Sequence, residues 1–237
     1  MDKYLNKVIQ GDCLEILKEL PDKCVDLVLT DPPYNTGMTA DSSSTRLKNF
    51  FNDKYTDEEY LKLVRGGVEQ MFRVLKEDKG IYVFMSWKKI GIWIDELNRA
   101  GFKVKNCIVW DKVIHGLNYM NYAYTHEMII FAAKGAFLPN HKALGSPYWK
   151  DIWHISRNQD SNQDNSHHET VKCDGVLEPP IQHASNVGDI VLDPFAGTGS
   201  SLVISKRNKR NFIGIEISPE YCKIAQERLD KTTTPLF

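Results

Sequence analysis

Asp31, Pro32, Pro33 and Tyr34 place a carboxylate, two prolines and an aromatic ring side by side in the chain. They follow an apolar run at residues 25–29, which predicts a buried strand of a parallel sheet. Because proline lacks an N–H group and fixes its own φ, the strand must end there in a stiff turn. Open α/β sheets bind ligands at the carboxyl ends of their strands, so these four residues are candidate catalytic residues.

The chemistry that suits this turn involves a flat ring bearing an amino group. The Asp31 carboxylate can accept one N–H of the amine, the Pro32 carbonyl can accept the other, and the Tyr34 ring can stack on the base. Two fixed acceptors favour a pyramidal amine and stabilise the positive charge that develops when it attacks an electrophile. The structural alternative is a strand end with a Pro-Pro turn and a capping aspartate.

A second motif follows another predicted strand, at residues 189–193. It reads Asp193-Pro-Phe-Ala-Gly-Thr-Gly-Ser-Ser201 and predicts a glycine-rich turn that leads into a helix. Gly197 and Gly199 would let the backbone approach a nucleotide closely. Glu216 ends the next strand and is positioned to accept the ribose hydroxyls.

The details of the second motif select among nucleotide ligands. A dinucleotide enzyme normally has a third glycine where this chain has Leu202, and no Gly-Lys-Ser/Thr follows, so a phosphate-binding P-loop is excluded. A nucleoside without phosphates fits better. S-adenosylmethionine is the common one, and its cationic sulfonium suits the acidic strand end at Asp193.

A third strand, at residues 6–10, ends at Gly11-Asp12-Cys13 and precedes a predicted helix at residues 14–20. Asp12 could accept a hydrogen bond from the exocyclic amine of a nucleotide. On local grounds it could equally be the N-cap of that helix.

Asp-Pro-Pro-Tyr at 31–34 and Asp-Pro-Phe-Ala-Gly-Thr-Gly at 193–199 together resemble the amino-group DNA methyltransferases, in the order typical of the β group. Four further segments resemble parts of the family. Residues 11–13 resemble its adenine-binding turn, and residues 125–131 resemble the strand that shapes its base pocket. Residues 168–172 resemble the segment before its helix, and residues 213–216 resemble its ribose-binding strand. The family usually has proline after the lysine, whereas Cys173 follows Lys172 here. The resemblance implies that the cofactor-binding residues are Asp12, Cys13, Lys172, Asp193, Phe195, Ala196, Gly197, Gly199, Ser200, Ser201, Glu216 and Ile217.

The resemblance also implies an α/β Rossmann-like methyltransferase fold. Its sheet would have seven mostly parallel strands, one antiparallel edge strand and helices on both faces. The 237 residues, 42% of them hydrophobic, suffice for one such domain over residues 1–237. A small target-recognition insertion is expected at about 136–167. The polar segment at 35–53 is either a lid over the site or an insertion without function.

Most other elements are predicted from local patterns. A capping box at Thr56 begins a helix that Gly80 is expected to end, and strands follow at residues 81–85, 103–110 and 127–132. Further helices are expected at 90–100 and 219–231, and a possible strand at 151–155. The basic run at 206–210 is expected to be a solvated helix end.

Composition limits the partners and the compartment. The net charge of −1 means that any DNA-binding face must be local. Five scattered cysteines suit a reducing cytosol, and no apolar run is long enough to span a membrane. His167-His168 lacks further ligands at metal-binding spacing, so no metal is expected. The expected partners are double-stranded DNA, a second copy in a homodimer that enlarges the small recognition surface, and, if the chain serves a restriction system, a cognate restriction endonuclease.

The leading interpretation is a DNA adenine-N6 methyltransferase that flips its target base out of the duplex. Within the family, Asp at the first position of the catalytic motif is more typical of adenine enzymes and Ser of cytosine-N4 enzymes. A cytosine-N4 enzyme is therefore the nearest alternative. From another class, the chain could be an inactive subunit that binds DNA or cofactor, and a dinucleotide-dependent oxidoreductase is less favoured still.

Overall fold

The computed structural model describes residues 1–35, 54–113, 122, 125–140, 150–156 and 172–233. The strands are β1 (Lys7–Gln10), β2 (Val25–Thr30), β3 (Leu75–Met85), β4 (Lys103–Asp111), β5 (His126–Ala133), β6 (Ile152–His154), β7 (Ile190–Asp193) and β8 (Asn211–Glu216). The helices are α1 (Cys13–Glu19), α2 (Asp57–Val74), α3 (Ile90–Ala100), α4 (Asp174–Ala184), α5 (Ser200–Arg207) and α6 (Pro219–Lys231), and a 3-10 turn spans Trp87–Lys89.

The described strands form one sheet in the order β1-β8-β7-β2-β3-β5-β4-β6. The fold class is confirmed, but the sheet has eight strands and not seven, because the short segment at 152–154 pairs with β4. The expected position of the antiparallel strand is wrong. β5 runs antiparallel to both β3 and β4, and it lies inside the sheet because it pairs with a strand on each side.

Helices cover both faces of the sheet. Leu17 of α1, Val64 of α2 and Leu97 of α3 belong to one apolar cluster, whereas Val176 and Ile181 of α4 belong to a second on the other face. Every residue of β2 is buried, as expected for a central parallel strand. The strand that leads into Asp31 is therefore held between two neighbouring strands, β3 and β7.

The capping box at Thr56 is confirmed, but α2 ends at Val74 and not near Gly80. The cause is an early switch to extended backbone at Leu75, which already pairs with Val25 of β2. Lys134, from just after β5, donates to the carbonyl oxygens of Phe72 and Leu75 at 2.8 Å each and so satisfies the end of the helix. No helix in the described ranges is long and apolar enough to cross a membrane.

Three expectations lie wholly or partly outside the described residues. They are the lid at 35–53, of which only Asn35 is described, the His167-His168 pair, and the target-recognition region at about 136–167. The expected target-recognition region is described only at 136–140 and 150–156. Its first part lies far from Asp31, since the Asn140 N–H donates to the His183 carbonyl at the carboxyl end of α4.

Candidate active site

The catalytic motif leaves β2 as a loop that α2 holds in place. Tyr60 of α2 donates its hydroxyl to the Pro33 carbonyl at 3.1 Å, and the Trp93 indole N–H in turn donates to the Tyr60 hydroxyl at 3.2 Å. The Asn35 side chain accepts from the Tyr55 N–H at 2.9 Å. Within the described residues the Pro32 carbonyl oxygen accepts no hydrogen bond, so it keeps its acceptor capacity.

Asp31 lies between a phenol and an ammonium group. The Tyr34 hydroxyl donates to Asp31 Oδ1 at 2.7 Å, and Lys172 Nζ lies 2.5 Å from Asp31 Oδ2. Burial, together with the neighbouring carboxylates, raises the pKa of Tyr34 well above its usual value, so the phenol stays a donor. Two donors thus fix the carboxylate in one orientation while each oxygen keeps a second lone pair.

Behind this pair lies a buried ionic cluster that sequence reasoning missed. Lys172 Nζ is 3.1 Å from Glu127 Oε2, and Lys112 forms a closer ion pair with Glu127 Oε1. Burial opposes the charge of Glu127, yet the two lysines lower its pKa below the usual value. Burial likewise opposes the charge of Lys172, but Asp31 and Glu127 raise its pKa. A polar residue at the start of the apolar run at 127–132 was the available sequence signal for Glu127.

Lys172 makes its described contacts with residues of the catalytic loop and with Glu127, and its cofactor role stays a prediction. The sequence grouped it with the cofactor-binding residues, whereas its ammonium contacts Asp31, Glu127 and the Tyr34 hydroxyl. It precedes Cys173, the N-cap of α4, so the start of that helix positions it.

The glycine-rich turn joins β7 to α5 and has the backbone that its sequence predicts. Gly197 and Gly199 have φ of +52° and +80°, a region that side chains other than glycine disfavour. A Cβ at Gly199 would lie 2.8 Å from the Ala225 Cβ, whereas one at Gly197 would meet nothing within 4 Å. Gly199 is thus required by packing, and Gly197 faces open space where a ligand can approach.

The missing third glycine has a counterpart on the neighbouring strand. A Cβ at Gly214 of β8 would lie 2.3 Å from Leu202 Cδ1. The close approach between α5 and the sheet is therefore achieved by a glycine in the strand and a leucine in the helix.

Glu216 ends β8 beside this turn. Its Oε2 accepts from the Gly197 N–H at 2.8 Å and its Oε1 from the Ser218 N–H at 2.8 Å. Its own carbonyl accepts from the Gly11 N–H at 2.9 Å, so the β1 turn lies against it. Burial raises the pKa of Glu216. Each carboxylate oxygen keeps one lone pair for a further donor, and Ile217 next to it is half exposed.

Asp193 does not extend into open space but links the two motifs internally. Its Oδ1 accepts from the Thr30 hydroxyl at 2.8 Å and from the Phe195 N–H at 3.1 Å, and its Oδ2 accepts from the buried Ser201 hydroxyl. Burial raises the pKa of Asp193 to about 6. Ser200 is also engaged, since its hydroxyl accepts from Arg228 at 3.1 Å.

The β1 turn supports the structural role for Asp12. Asp12 is the N-cap of α1, and its Oδ1 accepts from the Leu14 N–H at 2.7 Å. Cys13 is buried, and burial raises the pKa of its thiol to about 12. Ala196 is buried and its N–H donates to the Ile215 carbonyl at 2.9 Å, while Phe195 packs against the first apolar cluster.

Asp31 and Asp193 therefore end neighbouring strands, since β2 pairs with β7, and both motifs open at one edge of the sheet. The described residues contain no group of three His, Cys, Asp or Glu side chains that could hold a metal ion. A family model, N6_N4_Mtase, described as DNA methylase, matches residues 25–227. The chain belongs to this DNA methylase family.

Several proteins of known sequence are similar over nearly the whole methylase chain. The Escherichia coli (strain K12) protein YubD is 33% identical over 227 residues, which cover 95% of this chain and 90% of YubD. The type II methyltransferase M.HpaI of Haemophilus parainfluenzae is 31% identical, covering 94% of this chain and 74% of its own. The DNA adenine methyltransferase YhdJ of Escherichia coli (strain K12) is also 31% identical, covering 94% and 82%.

Solved structures agree with the methylase fold. The M1.HpyAVI–SAM complex superposes with a TM-score of 0.73 at 27% identity, covering 94% of this chain and 98% of that chain. The cytosine-N4-specific PvuII DNA methyltransferase superposes with a TM-score of 0.77, covering 93% and 85%, but at 17% identity it supports the fold alone.

Proposed function

We propose that this DNA methylase transfers a methyl group from S-adenosylmethionine to the exocyclic N6 amine of adenine in double-stranded DNA. The observation that carries the proposal is the hydrogen bond between Thr30 and Asp193, which joins the amine-accepting loop to the nucleotide-type turn. The two motifs thus form one site at adjacent strand ends.

The residues of the second motif fit the nucleoside of this cofactor. Gly197 leaves open space at the turn, Glu216 is a buried carboxylate with acceptor capacity for ribose hydroxyls, and Ile217 offers an exposed apolar side chain. The turns around that space are formed by the remaining cofactor-site candidates, which are Asp12, Cys13, Asp193, Phe195, Ala196, Gly199, Ser200 and Ser201. When bound, S-adenosylmethionine supplies an electrophilic methyl group on a sulfonium.

The chain's contribution to the reaction is orientation and charge stabilisation. The Asp31 carboxylate and the Pro32 carbonyl accept the two N–H groups of the amine, which aims the nitrogen lone pair outward. As the nitrogen acquires positive charge, the Asp31 carboxylate stabilises it. The product amine then loses one proton to solvent, and S-adenosylhomocysteine is the co-product. Pro33 keeps the loop fixed through its bond from Tyr60.

The target base must leave the duplex to reach Asp31, because the amine is paired inside the helix and the acceptors lie in a turn between strand ends. Flipping costs a few kcal/mol, which contacts to the base and the backbone must offset. Tyr34 contributes a ring beside the carboxylate that it orients.

The choice of adenine over cytosine rests on the aspartate at the first position of the catalytic motif and on the likeness to YhdJ, a DNA adenine methyltransferase. Cytosine N4 is the second candidate, since its amine presents the same two N–H groups to Asp31. We further propose that the methylase acts as a homodimer in the cytoplasm and that a restriction endonuclease with the same target sequence is its partner.

The experiment is transfer of labelled methyl from S-adenosylmethionine to genomic DNA, followed by mass identification of the modified nucleoside. N6-methyladenine is the expected product, and N4-methylcytosine would replace the adenine assignment. Asp31→Ala is the matched control, expected to abolish transfer while the dissociation constant for cofactor stays nearly unchanged. An inactive subunit would bind cofactor and label neither base. Sedimentation showing only active monomer would remove the homodimer.

A further inference from the structure

Trp87 is an exposed aromatic residue that the proposed reaction does not use. It opens the 3-10 turn Trp87–Lys89 directly after β3, and half of its side chain (50%) is accessible to solvent. Three other described tryptophans, Trp93, Trp110 and Trp153, are 1%, 1% and 9% accessible. A large apolar ring left in water at a fixed position is a candidate contact for a partner.

The strand register brings Trp87 to the edge of the sheet that carries Asp31. Thr30 at the end of β2 pairs with Val83 of β3, so both strands end on the same side. On the other flank of β3, Met85 pairs with Met128 of β5, and Glu127 is the next residue outward. Trp87 therefore follows β3 next to the start of β5. There, Glu127 accepts a hydrogen bond from the Tyr34 hydroxyl.

The turn bearing Trp87 is anchored to the same residue that holds the catalytic loop. Lys89 Nζ lies 5.2 Å from the centre of the Tyr60 ring, and the Trp93 indole N–H donates to the Tyr60 hydroxyl. That hydroxyl donates to Pro33. Ser86 caps the turn by accepting from the Lys88 N–H at 3.4 Å. A ligand bound by Trp87 is therefore held at a fixed position relative to the Pro33 turn.

The flanking charges indicate the chemistry of the partner. Lys88 is exposed, and among the described residues its ammonium has no ion-pair partner, while Lys89 pairs with Asp57 at 3.3 Å. In a chain of net charge −1, an aromatic ring next to an unpaired lysine at the catalytic edge is a local basic and aromatic footprint. Stacked bases beside phosphates have the complementary chemistry.

We infer that Trp87 stacks on a nucleobase of the DNA strand next to the target base, with Lys88 at a neighbouring phosphate. This inference rests on the proposed function and adds a DNA contact outside the catalytic and cofactor motifs. The ring holds the opened strand beside the Pro33 turn, while the lysine contributes to affinity without reading sequence.

The test combines two substitutions of Trp87 with short fragments of unmethylated genomic DNA. Trp87→Leu removes the ring and is expected to weaken DNA binding by about 5- to 150-fold, the range for loss of one base–aromatic stack, without changing cofactor affinity. Trp87→Phe keeps a ring, so it should bind DNA within a few-fold of wild type yet lose the quenching of tryptophan fluorescence that DNA causes. Lys88→Gln should lower the slope of log affinity against log salt by about 1.

The matched control is Val187→Ser. Val187 is also an exposed apolar residue (67%), but it precedes β7 and lies at the opposite edge of the sheet. Val187→Ser should leave both the affinity for DNA and the quenching of tryptophan fluorescence by DNA at their wild-type values. Wild-type affinity in Trp87→Leu, or full quenching in Trp87→Phe, would overturn the Trp87 contact while methyl transfer to DNA still stood. If the wild-type protein neither bound nor methylated the fragments, the proposed function would fall with it.

Discussion

The Thr30 hydroxyl donates to the Asp193 carboxylate over 2.8 Å, and both side chains are buried. The two residues lie 163 positions apart in the chain and end neighbouring strands of the sheet. This bond, together with the pairing of β2 with β7, holds the turn that suits an amine next to the turn that suits a nucleoside.

Thr30→Val keeps the shape of the side chain and removes the hydroxyl. We expect the free energy of unfolding to fall by about 1–3 kcal/mol, because a buried carboxylate loses a donor. Methyl transfer should fall more than cofactor binding, since the relative position of the motifs changes. Urea unfolding and initial rates measure the two effects. Thr30→Ser, which retains the donor, is the control, and equal losses in both variants would argue against the hydrogen bond.

The two turn glycines should respond differently to alanine. Gly199→Ala places a Cβ against Ala225 at positive φ, so we expect a loss of about 2–4 kcal/mol in stability. Gly197→Ala meets no protein atom within 4 Å, so its stability loss should be about 1 kcal/mol, from φ alone. Its cofactor affinity, measured by calorimetry, should nevertheless drop about tenfold or more. Unchanged affinity in Gly197→Ala would place the cofactor elsewhere.

Glu216→Ala removes a carboxylate that accepts from Gly197 and Ser218. We expect cofactor binding to weaken by about 1.5–3 kcal/mol, the scale for losing a charged hydrogen bond. Glu216→Gln, which retains one carbonyl acceptor, should lose less. Titration calorimetry gives both values, and an unchanged dissociation constant in Glu216→Ala would refute the ribose role.

Lys172→Met leaves Asp31 and Glu127 without their shared cation. Breaking a buried ion pair on one side is costly, and we expect a loss of about 2–4 kcal/mol in stability. Adding Glu127→Gln should recover part of that loss, because it leaves the Asp31 carboxylate balanced by Lys112, which pairs with Glu127 in the wild type. The double-mutant cycle measures this coupling. Strictly additive effects would mean that the cluster of Lys172, Asp31 and Glu127 does not contribute to stability as a unit.

The raised pKa of Asp193 predicts a pH dependence of stability with a defined sign. The folded state binds this proton more tightly than the unfolded state, whose aspartate titrates near 3.8. Its contribution is therefore full below pH 3.8 and is lost as the pH rises through about 6. Two pKa units correspond to about 3 kcal/mol. Asp193→Asn does not titrate, so the difference in stability between wild type and variant should change by that order between pH 4 and pH 7. A constant difference would contradict the shift.

Local patterns were enough to predict the two motifs. A strand that runs into Asp-Pro-Pro-Tyr, and another that runs into a glycine-rich turn, are set by backbone geometry within a few residues. The capping box at Thr56 and the helix caps at Gly101 and Ser218 are local in the same sense.

Contacts between distant segments were not predictable in this way. The contacts of Lys172 with Asp31 and Glu127 depend on α4 and β5 meeting at the end of β2. The interior place of β5 depends on its ladders with β3 and β4. The early end of α2 depends on the pairing of Leu75 with Val25 and on Lys134, which follows β5. The internal hydrogen bonds of Asp193 with Thr30 and Ser201 were likewise not predictable from the sequence, and the cofactor roles of Asp193 and Asp12 stay predictions.

The reversed direction of β5 has a consequence for how such a chain can diversify. Because β5 starts at the edge where β4 finishes, the connection between Asp111 and His126 departs and returns on the rim that carries Asp31. A hairpin connection of this kind can lengthen or shorten while its two strands keep their register. The length of this connection can therefore change beside the rim that carries Asp31 while β1, β8 and β7, the strands that carry the nucleoside-type turn, remain as they are.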